Sequence, residues 1–136
     1  MTKLWQETKT IAVVGLSEKP SRPSYRVAQY MQSAGYRIIP VNPLCSEMLG
    51  ETCYPDLLSI PEPIDMVNVF RKSEDCLPIV HDAVKIGAKV FWMQLGVINQ
   101  EALDYAQAHG LEAIMDQCLM IEHMRQWYSN IRVYYF

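Results

Sequence analysis

No hydrophobic run in this sequence is long. The strongest apolar stretches, such as Ile11 to Gly15, fall far below the ~18 residues that cross a bilayer, so no membrane partner is expected. The N-terminus, Met1-Thr2-Lys3-Leu4-Trp5-Gln6-Glu7, lacks the apolar core of a secretory signal, which points to the cytoplasm. Paired cysteines are missing as well. Cys45, Cys53, Cys76 and Cys118 are irregularly spaced with no C-x-x-C motif, and in a reducing compartment they read as four free, mostly buried thiols. Positive charge is not in excess: 12 Lys and Arg stand against 15 Asp and Glu, for a net charge of −3. A weakly acidic chain of pI about 5.6 is a poor general binder of nucleic acid. An anionic ligand must therefore be met by a local cluster of donors. Repeats, low-complexity tracts and linkers are absent too.

What remains is ordinary globular composition. Of 136 residues, 50% are apolar and 20% charged, which excludes a disordered chain and suits a single domain over 1–136. Short β-rich runs alternate with helical ones. Thr10 to Gly15 is a continuous apolar run, the pattern of a strand buried on both faces. Tyr25 to Ala34 has helical spacing and stops at Gly35. Tyr36 to Val41 reads as a second strand, ended by Asn42-Pro43. Asp65 to Phe70, Lys89 to Met93 and Leu111 to Met115 are the third, fourth and fifth strands. Helices are expected over Ser73 to Ile86, Gln100 to His109 and Leu119 to Trp127. Ser73 is the expected N-cap of its helix, although Pro78 moves the start a turn later. The tail over 128–136, ending Arg132-Val133-Tyr134-Tyr135-Phe136, has no assigned place.

Strict alternation of strand and helix implies an α/β fold: a doubly wound, five-stranded parallel sheet with helices on both faces. The favoured strand order, numbered along the chain, is 3-2-1-4-5. In such sheets ligands bind beyond the carboxyl ends of the strands, at the switch point. The loops after Gly15, Val41, Phe70 and Met93 are thus the ones to read.

The first loop runs from Gly15 to Tyr25, and it is longer than usual βα loops. Gly15 permits close backbone approach, and the helix that follows offers unpaired N–H groups to an anion. Ser17, Ser21 and Ser24 are donors, and Lys19 and Arg22 add charge. Past the third strand, Arg71 and Lys72 stand beside the switch point, where Arg71 faces either a phosphate or solvent. Past the fourth, Gln94 and the Gly96 backbone suit an amide-rich ligand, unless Gln94 only satisfies nearby backbone. The nicotinamide fingerprint G-x-G-x-x-G is missing, since Ser17 and Pro20 occupy the later positions. Asn42 stands where a ribose-binding acid would be.

These residues carry a resemblance. The stretches IAVVGLSEKPSRPSYRV, GYRIIPVNP, GETCYPDLLSIPEPIDMVNVFR, GAKVFWMQLGV and GLEAIMDQCLMIEH span residues 11 to 123. They resemble the small single-domain CoA-binding protein family, which is similar to the N-terminal CoA-binding domain of the succinyl-CoA synthetase α subunit. The resemblance implies a Rossmann-like fold and coenzyme A, or an acyl-CoA, as ligand. It implies phosphate contacts at Gly15, Leu16 and Ser17, with Lys19 and Arg22 assisting. It places Pro40, Val41 and Asn42 near the nucleotide, and Val69, Phe70, Arg71, Gln94 and Leu95 along the groove. With Ser21, Ser24 and Tyr25 from the first loop, these make the candidate site.

Catalytic residues do not stand out. The synthetase carries its phosphorylated histidine on a second domain, which this length does not hold. His81 stands beside Asp82 and His123 beside Glu122, but adjacent residues on a helix point apart and form no acid–base pair by themselves; His109 lies at a helix end, and Asp116, Cys118, Glu122 and His123 lack zinc spacing. The expectation is a non-catalytic binder of CoA, with a protein partner or a second copy of the chain possible. Two alternatives stay open: a nicotinamide oxidoreductase-like protein, and a protein–protein module using Tyr134-Tyr135-Phe136 as an oligomer contact.

Overall fold

Apolar runs become strands and the amphipathic stretches between them become helices. The computed structural model describes residues 2–135, with side chains described over 3–129. Helix α1 (Thr2–Glu7) precedes strand β1 (Thr10–Val14), helix α2 (Pro23–Ser33) and strand β2 (Arg37–Val41). A small antiparallel hairpin follows, β3 (Glu47–Met48) and β4 (Glu51–Thr52). The chain continues through β5 (Met66–Val69), α3 (Cys76–Lys85), β6 (Val90–Met93), α4 (Gln100–Ala108), β7 (Glu112–Ile114) and α5 (Leu119–Tyr135).

The main sheet is parallel, five-stranded and ordered β2-β1-β5-β6-β7. This corrects the expected order: the third long strand lies on the far side of β1, giving 2-1-3-4-5. Pro40 supplies the physical reason. Its carbonyl accepts from Tyr54 N–H at 3.0 Å on the outer side of β2, and in a parallel strand its own missing N–H points the same way. A proline so placed costs no bond to β1, but it makes β2 an edge. The outer side of β2 is met by a single bridge, Val41 to Tyr54. The segment between β2 and β5 holds no α-helix that could cross over to extend the sheet beyond it.

Both faces of the sheet are covered. On one face Trp5, Val27, Met31 and Leu119, from α1, α2 and α5, pack on Ile11, Val13, Ile38, Met66 and Trp92. On the other, Cys76, Val80 and Ala83 of α3 and Ala102 and Ala106 of α4 cover Val14, Val67, Val69, Phe91 and Met93. Two-sided burial is why the strands read as unbroken apolar runs. Each large side chain so buried contributes roughly 1.5–3 kcal/mol.

Several boundaries moved. α2 begins at Pro23, in the first turn, where its absent N–H is not needed. Ser73 is not the cap of α3. Residues Ser73–Asp75 form a separate 3-10 turn, and the Ser73 hydroxyl instead accepts from Ile98 N–H at 2.9 Å. Pro78 then falls in the first turn of α3, where it is tolerated. The helical backbone of α5 runs on to Tyr135, so the unassigned tail continues that helix. The side chains of Tyr134, Tyr135 and Phe136, read as an oligomer contact, lie outside the described residues. Among the described residues no helix is long and apolar enough to cross a membrane.

Candidate functional site

The strand order puts a crevice between β1 and β5, because α2 leaves on one face and α3 on the other. Gly15 follows β1 at φ +85, a left-handed conformation. Its N–H donates to Val41 O at 3.0 Å. A Cβ there would collide with the Phe70 carbonyl oxygen and meet Arg71 Cδ at 2.8 Å. Only glycine lets the loops after β1 and β5 cross this closely.

Beyond Gly15 the loop is held by its own polar groups. Ser17 N–H donates to Ser24 Oγ at 3.0 Å, and Lys19 N–H donates to Ser17 Oγ at 3.2 Å. Asn42 Nδ2 donates to Leu16 O at 2.9 Å, which ties the end of β2 to the loop. Cys45 Sγ reaches Glu18 Oε2 at 3.0 Å, which ties the loop to the hairpin. That carboxylate, together with burial, pushes the Cys45 thiol up to about 11. Arg22 is the N-cap of α2 but contributes no side-chain capping bond. The first amides of α2 therefore stay open to a ligand, and the helix dipole favours an anion there.

These elements wall a cavity of about 850 Å³. Its lining includes Gly15, Ser17, Lys19, Arg22, Ser24, Phe70, Gln94 and Leu95, all anticipated from the sequence. Its lining is of two kinds. The loop after β1 and α2 contribute Lys19, Arg22 and Arg26, none in a salt bridge among the described residues. The segments after β6 and β7 contribute Leu95, Val97, Cys118 and Met120, with Gln94 as their amide. Among the described residues no carboxylate or imidazole lines the cavity.

The other anticipated residues sit elsewhere. Leu16 and Val69 are wholly buried in the two cores, and Pro40 is buried in β2. Asn42 is spent on the loop backbone and on Leu44 N–H. Tyr25 packs against the core beneath α2, and Ser21 is exposed outside the lining. Arg71 lines a separate depression with Asp56, Glu74, Asp75 and Asp82, and approaches Asp75 at 4.0 Å. Those acidic neighbours disfavour a phosphate beside it.

Sequence reading missed Arg26, Val27, Val97, Cys118 and Met120. Arg26 lies one helical turn after Arg22, so the i, i+4 spacing was available as a signal. Cys118 and Met120 come from the turn into α5, and nothing local in the sequence brings that turn to β1.

Among the described residues the three histidines lie outside the cavity lining, and of the four thiols Cys118 lines it. His123 Nδ1 and the Tyr30 hydroxyl share a hydrogen bond of 2.8 Å, and its ring packs edge-on against Trp5, Tyr30 and Tyr36. Burial lowers its pKa from the usual 6.5. His81 and His109 flank the Tyr105 ring at 4.3 and 4.1 Å. All four cysteines are free.

A doubly wound α/β domain with a rigid, cation-bearing loop at its switch point is thus the class that fold and cavity define. The chain belongs to the CoA binding domain family, which it matches over residues 9–124. It is 45% identical over 121 residues to the uncharacterized protein YneT of Bacillus subtilis, covering 89% of this chain and 90% of that one. A hypothetical protein from Pyrococcus horikoshii has a solved structure of TM-score 0.88 and 40% identity, covering 91% of this chain and 87% of that one. An ADP-forming acetate–CoA ligase of Archaeoglobus fulgidus is 35% identical over 83 residues, which is 60% of this chain but 12% of the ligase.

Proposed function

We propose that this chain binds coenzyme A or an acyl-CoA in the cavity at the switch point, through the loop after β1, without covalent chemistry on it. The observation that carries this reading is the mixed lining of the cavity. Lys19, Arg22, Arg26 and the open amides of α2 suit the phosphates of such a ligand. The apolar side chains after β6 and β7, with the Gln94 amide among them, suit the pantetheine arm. Membership of the CoA binding domain family supports the same ligand. The non-catalytic part of the reading rests on a lining that offers no acid–base pair among the described residues. The free thiols suit a reducing compartment, so the proposed setting is the cytoplasm.

Calorimetric titration of ligand-stripped protein tests this, with CoA, dephospho-CoA and NADP as ligands. CoA is expected to bind, more weakly without its 3′-phosphate, and with an affinity that falls as salt rises. Binding of NADP with none of CoA would overturn the ligand. Turnover of an acyl-CoA by the protein alone would overturn the non-catalytic reading.

A further inference from the structure

Beneath the cavity lies a polar pair that the phosphate loop does not use. Asn68 is wholly buried in β5, and Gln94, just past β6, is 6% exposed. Gln94 Oε1 accepts two hydrogen bonds, from Leu119 N–H at 3.2 Å and from Asn68 Nδ2 at 3.3 Å. Asn68 Nδ2 also donates to Trp92 O at 3.3 Å. Neither amide can be turned round. A backbone N–H such as that of Leu119 only donates, so it must face the Gln94 oxygen. A carbonyl such as that of Trp92 only accepts, so it must face the Asn68 nitrogen. The Gln94 Nε2 group is left with no partner in the chain among the described residues, on a side chain that lines the cavity.

We propose that Asn68 is a positioning residue that, together with the Leu119 amide, holds Gln94 as a hydrogen-bond donor, so that the cavity wall after β6 selects a ligand bearing a neutral carbonyl acceptor. This deepens the proposed CoA reading and rests on it. The acceptor it would take is an amide carbonyl of the pantetheine arm. A phosphate is the poorer match, because Gln94 carries no charge to neutralise it. The arrangement also has a cost that argues for a purpose. Asn68 Oδ1 is buried with no hydrogen-bond partner, a penalty that an apolar side chain in β5 would avoid.

The test is a calorimetric comparison of CoA with 3′,5′-adenosine bisphosphate, which keeps the 3′-phosphate and one of the two 5′-phosphates but has no pantetheine. Gln94→Glu keeps an oxygen for Leu119 N–H and Asn68 Nδ2 and removes the outward donor. It is expected to weaken CoA about tenfold or more and the bisphosphate less, because the added charge repels both ligands while only CoA loses the donor. Asn68→Leu removes one of the two donors that hold the Gln94 oxygen inward and is expected to narrow the preference for CoA over the bisphosphate, with thermal melting confirming a folded chain. Unchanged CoA affinity in Gln94→Glu overturns the donor role. An equal loss for both ligands overturns it too, since the change would then act on the whole site. An unchanged preference in folded Asn68→Leu overturns the positioning role. A wild-type chain that binds neither ligand removes the CoA reading itself, and this inference falls with it.

Discussion

Gly15 and Phe70 touch across the switch point so closely that there is no room for a methyl group between them. The contact fixes where the loop after β1 can run, because Phe70 is itself anchored by its N–H to Val14 O at 2.8 Å. Gly15→Ala must combine a left-handed φ with a collision against backbone, which cannot rotate away. We expect a loss of roughly 2 kcal/mol or more in urea unfolding. A wild-type unfolding midpoint in that variant would contradict the packing described here.

Charge around the loop after β1 is the second expectation. Arg22→Ala and Arg26→Ala should each weaken CoA by about 1–3 kcal/mol, the range for charge-assisted hydrogen bonds. Arg71→Ala should change CoA affinity little, because Arg71 stands in the acidic depression outside the cavity. Titrations of the three variants separate the two basic clusters, which the sequence alone places side by side.

His123 gives a pH dependence of definite sign. Burial favours its neutral form in the folded chain. As pH falls through 6.5 the unfolded chain takes up the proton first, so stability drops. The loss is complete once pH has fallen below the lowered folded value. Urea midpoints measured from about pH 8 to pH 5 should therefore decline in wild type, and His123→Phe should lack that component.

Cys45 is expected to be a sluggish nucleophile. With its thiol pushed up to about 11 by Glu18 and burial, only about one in a thousand is thiolate at pH 8. Glu18→Gln removes the main cause and should speed alkylation of Cys45 by iodoacetamide, read by mass spectrometry. Equal labelling rates would show that the carboxylate does not govern the thiol.

The sequence made some of this legible for physical reasons. Buried strands such as Ile11 to Val14 and Val90 to Met93 announce themselves because both faces are apolar. The first loop was readable because glycine, serine and cations follow one another along the chain. The strand order was misread, although Pro40 held the answer: a proline inside a parallel strand marks an edge. α1 was missed because it is a single short helix, buried through Leu4 and Trp5. The hairpin was missed because its turn uses Leu49 at φ 55, a conformation leucine seldom adopts. The roles of Asn68 and Cys118 depend on neighbours far along the chain, which no local pattern announces.

The plugged outer side of β2 has a consequence for assembly. One rim of the sheet offers a proline and a bridge already taken by Tyr54, and the other is β7, only three residues long with Glu112 exposed. Neither rim can template an added strand of useful length. The main sheet therefore gives a second copy of this chain little backbone to pair with at either rim.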